Sequence, residues 1–381
     1  MGDSVIFNEN LMMKISLLIL VFICIGCQNN ATEKVQKSQA DVVARNFTQV
    51  ELEILLKDSI SVRAIEVTKD ALLFAGDKGN YGSMSLETQL WKRDSQSFDR
   101  MVKDSLEGAE KMVSMPMAFR SVASTKNFYF ILSIGSPAQL FRINKVSGAK
   151  EIVFTDTDPK AFYDSMEFWN ENEGIAMGDP INNCLSVIVT RDGGSTWQKI
   201  SCDVMPKVTE GEAAFAASDT NIKIIGDETW IVSGGKQSRV FHSPNKGINW
   251  EVITTPVTQG EPTQGAYTMD FYDQNQGIIY GGDYLKPGEN TNNIAITSDG
   301  GKTWNPIGSG ANDGYKSCVQ YVPNRGGNEI VAVGFTGISY SKDGGAHWTE
   351  LSKEAFLSFR FLNDSIAYAG GRNRIAKLTF R

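Results

Sequence analysis

The chain has 381 residues, 41% hydrophobic and 21% charged, enough apolar material for a large core or a long repeat array. Its formal net charge is −7 and its basic pairs are isolated, so nucleic acid is not the expected partner. Outside the N-terminal segment, nothing in the composition signals disorder.

The N-terminus comes first. Residues 12–27 read MMKISLLILVFICIGC: Lys14, an apolar run from Ile15 to Gly26, then Cys27. That run is short for a bilayer span. It resembles a bacterial lipoprotein signal, with Ile25-Gly26-Cys27 as the end of the lipobox and Cys24 where Leu is usual. Asp3 and Glu9 precede it where a signal carries positive charge, so Met12 or Met13 is the expected start. An uncleaved anchor helix is the alternative. Cleavage before Cys27 would expose its thiol and a new amine to acylation, and two lipid signals suffice for stable anchoring. Gln28 follows rather than Asp, which under the usual sorting rule points to the outer membrane facing the periplasm. Residues 1–27 are thus expected to be the signal and the polar stretch 28–47 a tether. Residues 48–381 are expected to be the body, a monomer in the cell envelope held to the membrane only by its lipid.

Three cysteines remain in the body: Cys184, Cys202 and Cys318. An exported protein can form disulfides. If Thr190 and Trp197 face each other across a hairpin, position 184 lies opposite 203. Cys202 is within one residue of that, so the spacing allows a Cys184–Cys202 bridge and leaves Cys318 a buried thiol.

One phrase occurs four times: TRDGGSTW (190–197), SPNKGINW (243–250), TSDGGKTW (297–304) and SKDGGAHW (341–348). The tryptophans are 53, 54 and 44 residues apart, a period that marks a propeller. Short apolar strands such as LSVIVT and NIAIT precede a Gly-containing turn, a hairpin signal. A second repeat lies upstream: FWNENEGIAMGD (168–179), FYDQNQGIIYGGD (271–283), FLNDSIAYAGG (361–371) and VTKDALLFAGD (67–77). It reads as strand, turn, strand, Gly. Inner pairs of this kind fall near 60–76, 117–133, 162–178, 212–235, 266–282, 315–334 and 356–371. The hairpin phrases of the first two are reduced to KRDSQSF (92–98) and NKVSGAK (144–150). No long helical period occurs in 48–381. The expectation is an all-β, seven-bladed propeller, its ring closed by pairing 47–56 with 374–380; six blades is the alternative.

Thr190, Asp192, Gly194, Thr196 and Trp197 match the Asp-box pattern, as do Thr297, Asp299, Gly301, Thr303 and Trp304. The other copies depart at Asn245 and Asn249 and at His347, with Trp250, Asp343 and Trp348 in place. The chain therefore resembles the BNR-repeat propellers. These include sialidases, sortilin-like domains and the photosystem II assembly and stability factor. The stretch GEAAFAASDTNIKIIGDETWIVSGG (211–235) looks closest to bacterial exported relatives of that factor. Some members carry generic oxidoreductase or glycosyl hydrolase names.

The phrase itself is expected to be a joint. Its Asp can accept backbone N–H bonds across a turn, Gly takes positive φ, and Trp packs between blades. One carboxylate per phrase is too few for calcium, and no metal or cofactor is expected. Ligand residues are expected on the opposite face, where inner strands begin. Aligned repeats place Arg63, Arg120, Asp164 and Tyr267 in one slot. Glu212, Tyr315 and Lys316 open other blades, and Asp179, Asp283 and Tyr284 lie in neighbouring loops. Arg63, Arg120, Tyr267, Glu212 and Asp164 are also the residue types of a sialidase site. However, Phe/Tyr-Arg-Ile-Pro is absent and Arg360 lies three positions past the slot. Two histidines leave little material for metal or nucleophilic sites, and no dinucleotide fingerprint opens a helix. The expected function is binding of a protein segment or envelope glycan. A carbohydrate-active hydrolase, or an oxidoreductase with an unrecognised cofactor, is the alternative.

Overall fold

The computed structural model describes residues 1–2, 46–103 and 110–381. The signal sequence, Cys27 and nearly all of the tether lie outside the described residues. The chain divides into two units, Met1–Ala44 and Arg45–Arg381, and every strand among the described residues belongs to the second. No helix occurs among the described residues.

Strands dominate because the apolar runs are short and are punctuated by Gly, Asn and Asp turns. Ile330–Gly334 and Gly337–Ser341 are buried at every position, as befits strands covered on both faces by neighbouring sheets. Outer strands such as Lys150–Asp156 are largely exposed. Among the described residues, six sheets of four or more strands form, with one further two-stranded sheet. Neighbours in sequence pair antiparallel, as in Tyr163–Phe168, Gly174–Ile181, Cys184–Thr190 and Gln198–Lys199. Their innermost strands surround a central channel. This is an all-β propeller.

The strand Val50–Val67 serves two neighbours. Its first half pairs with Ile366–Phe380, with Val50 opposite Phe380 and Lys57 opposite Arg374. Its second half pairs with Ala71–Gly76. The first strand of the body is thereby joined to the last. Phe47, grouped above with the tether, is in the core, 4.9 Å from the Tyr340 ring and 5.2 Å from the Phe380 ring.

Two boundaries differ from expectation. The inner pair expected at 212–235 is formed by Ile222–Ile225 and Glu228–Val232. Glu212–Ala213 instead pairs with Gly234–Gly235, in the sheet of Gln264–Phe271. The residues between form an insertion, which periodicity could not reveal because its small residues look like strand. The segment 92–98 is not a turn: Trp91–Ser95 is an outer strand, and Ser97–Lys103 pairs with Glu110–Pro116. The turn lies at 86–90.

The repeated phrases share one geometry. The Asp192 carboxylate accepts the Thr196 N–H at 2.9 Å and its hydroxyl at 2.7 Å, and Asp299 does the same with Thr303. Asn245 accepts the Asn249 N–H, and Asp343 that of His347. Each turn also docks on its own sheet's first hairpin, as Gly193 N–H does on the Asn172 carbonyl and Gly300 N–H on that of Asn275. Cys184 and Cys202 form a disulfide with Cα atoms 5.5 Å apart, and Cys318 is a buried thiol.

Phe47→Ala is expected to lower the unfolding free energy by about 3–5 kcal/mol, the usual cost of emptying a buried phenyl site. Urea titration would show it as a lower midpoint at unchanged slope. A midpoint equal to wild type would place Phe47 outside the cooperative core.

Candidate functional site

Four inner strands carry the same irregularity. Pairing slips by one residue at Arg63, Arg120, Asp164 and Tyr267. A β-bulge of this kind re-aims a side chain. Its counterpart on the second strand is often glycine, because the backbones approach closely. A Cβ on Gly178 would lie 2.1 Å from the Phe162 carbonyl oxygen, and one on Gly281 1.8 Å from that of Gly265. The following aspartate then caps a backbone amide: Asp77 accepts the Ser61 N–H and Asp179 that of Ala214. The Gly-Asp endings in the sequence thus encode the bulges.

The slot is shared, but it does not form one open mouth. Asp164 is sealed from solvent, and neither carboxylate oxygen has a hydrogen-bond partner. Burial, aided by nearby Asp179, raises its pKa well above the carboxylate range. Tyr267 is buried, its hydroxyl donating to the Thr263 carbonyl at 2.7 Å. Tyr315 is buried against it, with centroids 4.8 Å apart. Glu212 is buried in an ion pair with Arg239, whose Nε stands 3.0 Å away. Lys316 is fully enclosed, donates to the Gly337 carbonyl, and has its pKa lowered to about 8 by burial. Asp283 is buried and accepts the Leu285 N–H. Apart from Asp164, which is enclosed without a partner, these residues bond to the protein itself rather than display groups. Arg63, Arg120 and Asp179 are half-buried, and Tyr284 is exposed.

An open cleft does exist on this face. It encloses about 700 Å³, lined by Ile54, Lys57, Tyr284, Phe335, Phe356 and Leu357, with Arg372 and Arg374 at the rim. Tyr284 and Phe335 are the solvent-facing ends of an aromatic ladder. Phe335 stacks on Tyr315 at 4.6 Å, Tyr315 meets Tyr267, and Tyr267 stacks on Phe215 at 3.9 Å. Arg374 is tied to Glu354 and lies over the Phe356 ring. Arg63 sits beside Tyr315 and Arg372; burial lowers its pKa, and its Nε has no hydrogen-bond partner. The cleft thus joins an apolar aromatic floor to a cationic edge.

The other end of the channel was not singled out from the sequence. Glu66, Ser124, Glu167, Lys223, Asp270, Gln320 and Arg360 line a chamber of about 240 Å³. Four of them lie three residues past a slot position, the offset already visible at Arg360. Asp219 forms its roof. Its carboxylate accepts the N–H groups of Val122 and Met166 at 2.9 and 3.2 Å, and its carbonyl accepts from Arg360 at 2.8 Å. Lys223 pairs with Asp270 at 2.7 Å. Burial pushes Glu167 up to about 7 despite Lys223 and Arg360. It pushes Asp219 up to about 7 as well, against Arg360 and the two amide bonds. Among the described residues, no cluster of His, Cys, Asp and Glu suits a metal ion.

No protein-family model matches the sequence, and no curated protein matches it either. Solved structures do. The chain is similar to "YCF48 bound to D1 peptide" at 15% identity, covering 88% of this chain and 98% of that one, with a TM-score of 0.60. It is similar to YCF48 from Cyanidioschyzon merolae at 11% identity, over 87% and 98% of the two chains, with a TM-score of 0.58. The U3-55K structure follows at 11% identity, over 86% and 98%, with a TM-score of 0.57. At these identities the likeness establishes the β-propeller fold.

Glu167→Gln tests the chamber's electrostatics. An acid whose folded pKa is raised contributes stability that is fully present below its unfolded pKa. That stability is lost as pH rises through the folded value, here about 7. The variant should match wild type near pH 4 and exceed it by about 1–3 kcal/mol at pH 8. Urea unfolding at the two pH values reads this; equal stability at pH 8 would remove the buried-acid assignment.

Proposed function

We propose that this protein is a rigid binding module that docks a protein segment in the aromatic-cationic cleft. The observation that carries this is the cleft itself. It offers about 700 Å³ with exposed Tyr284 and Phe335 beside Lys57 and Arg372. Aromatic anchors next to cations suit a segment bearing apolar and acidic side chains. The neighbour solved with a D1 peptide is a propeller of similar overall shape, which supports a peptide or protein partner over a glycan. The hydrolase alternative loses support because Glu212 is ion-paired and Asp164 sealed.

Around this module we place the rest of the reading. Seven blades are supported by the six-stranded sheet, in which Val50–Val67 and Ile366–Phe380 each pass through two strand positions. The same pairing supports ring closure by the N-terminal strand. The phrase geometry at Asp192 and Asp299 supports the Asp-box resemblance. The signal ending at Cys27 supports an envelope lipoprotein, on the outer membrane and facing the periplasm, that assists assembly of a membrane complex.

A Tyr284→Ala/Phe335→Ala variant tests the cleft. Affinity isolation from envelope extract, with wild type and variant compared by quantitative mass spectrometry, should show a partner lost about tenfold or more, the scale of one aromatic hot spot. Equal recovery of every wild-type partner by the variant would move the site elsewhere. Globomycin treatment should accumulate an uncleaved, lipid-labelled precursor, and Cys27→Ala should abolish lipid labelling; unchanged labelling of the Cys27→Ala variant would remove the lipoprotein reading.

A further inference from the structure

The tryptophan phrases follow one packing rule. In each, the glycine at the fifth phrase position contacts side chains of the preceding sheet: Gly194 meets Phe130, Gly247 meets Trp169 and Ile175, Gly301 meets Trp230 and Gly345 meets Ile278. The phrase tryptophan closes the same joint. Trp197 lies 6.3 Å from Phe130, Trp348 lies 5.3 Å from Tyr280, Trp250 clusters with Ile175, and Trp304 clusters with Trp230. Two joints without a phrase are closed by other aromatics. Phe47 fills the one beside Tyr340 and Val331, and Trp91 packs into the cluster of Tyr368 and Phe74.

The joint between the sheet of Ala71–Gly76 and that of Phe128–Ser133 is different. Strand register puts Leu73 where the next sheet has Phe130: Leu73 faces Glu66, and Phe130 faces Ala123, each three residues past its bulge. The turn that should supply a tryptophan is NKVSGA at 144–149, two residues shorter than Thr190–Trp197. Ile143 faces Lys150 as Val189 faces Gln198, so Ala149 stands at the tryptophan position. A groove of about 500 Å³ remains, with Leu73, Tyr81, Tyr129 and Ile143 among its lining residues. Val146, almost fully exposed, forms an apolar lip.

The rim carries net positive charge. Lys92, Arg93, Lys126 and Lys145 line it against Asp70 and Asp94, with Arg93 held by Asp58, so the lysines carry the excess. Asp94 is already held by Lys150 at 2.7 Å and by the Tyr81 hydroxyl. Lys92 and Lys126 are exposed and have no ion pair among the described residues. We propose that this open joint receives an aromatic side chain carried beside carboxylates on a segment of a partner protein. The chain's own phrases supply the template for the ring, and the rim supplies the preference for acid. The joint is separate from the Tyr284–Phe335 cleft, so either assignment can fail alone.

The probe is the capped tripeptide Asp-Trp-Asp, titrated against the full chain by ligand-observed NMR. Saturable binding is expected, with Lys-Trp-Lys and Asp-Ala-Asp weaker by about tenfold or more, the scale of a lost charge contact or ring. Ser83→Trp, which fills the groove from its floor, should abolish binding. Replacing 144–149 with TRDGGSTW should do the same and raise the melting temperature. Lys126→Gln, an exposed change that removes one rim charge, should weaken binding about threefold or more. Tyr284→Ala/Phe335→Ala should leave it unchanged. Absence of saturable wild-type binding, or undiminished binding by folded Ser83→Trp, would overturn the proposal; equal binding of Lys-Trp-Lys would overturn its acidic half.

Discussion

The innermost strands of a propeller are sheet edges that face inward. Their outward-turned amides have no strand to pair with and little water to reach, a condition that buried backbone does not tolerate. Here the problem is met by side chains of neighbouring inner strands and of one segment, Ser218–Thr220. Asp219 takes the amides of Val122 and Met166, Thr268 that of Val319, Asp270 that of Tyr321, and Gln320 that of Phe361. Ser218 and Thr220 tie the same segment to Ser317 and Thr268. One short segment, held with Asp219 at φ 61°, thus bonds to five surrounding inner strands once Arg360 is included. Asp tolerates that left-handed backbone better than most residues, because its short side chain can bond locally. The ring's rigidity depends on this plug, and the plug depends on the insertion that precedes Ile222–Ile225.

That dependence explains what could and could not be read from the sequence. The blades were legible, because strand–turn–strand–Gly recurs and Gly-Asp endings accompany bulges. The slot holding Arg63, Arg120, Asp164 and Tyr267 was legible for the same reason, since each is a bulge residue. Whether a bulge residue reaches solvent was not. Asp164 is enclosed by side chains and backbone from other strands, and Glu212 is neutralised by Arg239, 27 residues away. Neither fact has a local signature. The plug was hidden in AASDTN, which looks like an ordinary polar turn. Its level in the channel had one visible trace, the three-residue offset of Arg360.

The two ends of the channel differ in kind. At the plug end the polar groups mostly satisfy backbone, and the pair Lys223–Asp270 is internal. Glu167 stands apart with no hydrogen-bond or ion-pair partner among the described residues. At the other end the slot residues are packed away, and the exposed chemistry has moved outward to the loops bearing Tyr284 and Phe335 and to the strand ends bearing Lys57 and Arg372. Loops of this kind change without disturbing the ring, because their residues make none of the plug's contacts. A scaffold so arranged separates rigidity at the centre from recognition at the rim.

The repeated phrase belongs to the rigid part. Its aspartate or asparagine shapes the turn, its glycine lets a neighbour's side chain approach, and its tryptophan seals the joint. A Cβ at Gly194 would stand 2.3 Å from the Phe130 ring, so the glycine is needed for contact between sheets as much as for its positive φ. Where a phrase is missing, the joint needs another ring: Phe47 arrives from outside the repeats and Trp91 from an outer strand. A joint whose own turn supplies no ring loses dispersion contacts at that position while its neighbours keep theirs. Such a site is either a defect the ring can bear or a place kept for something else. The shortened turn at 144–149, the unpaired lysines around it and the apolar wall behind it all favour the second. A collapsed joint would have closed the groove around Leu73, whereas this one stays open at about 500 Å³.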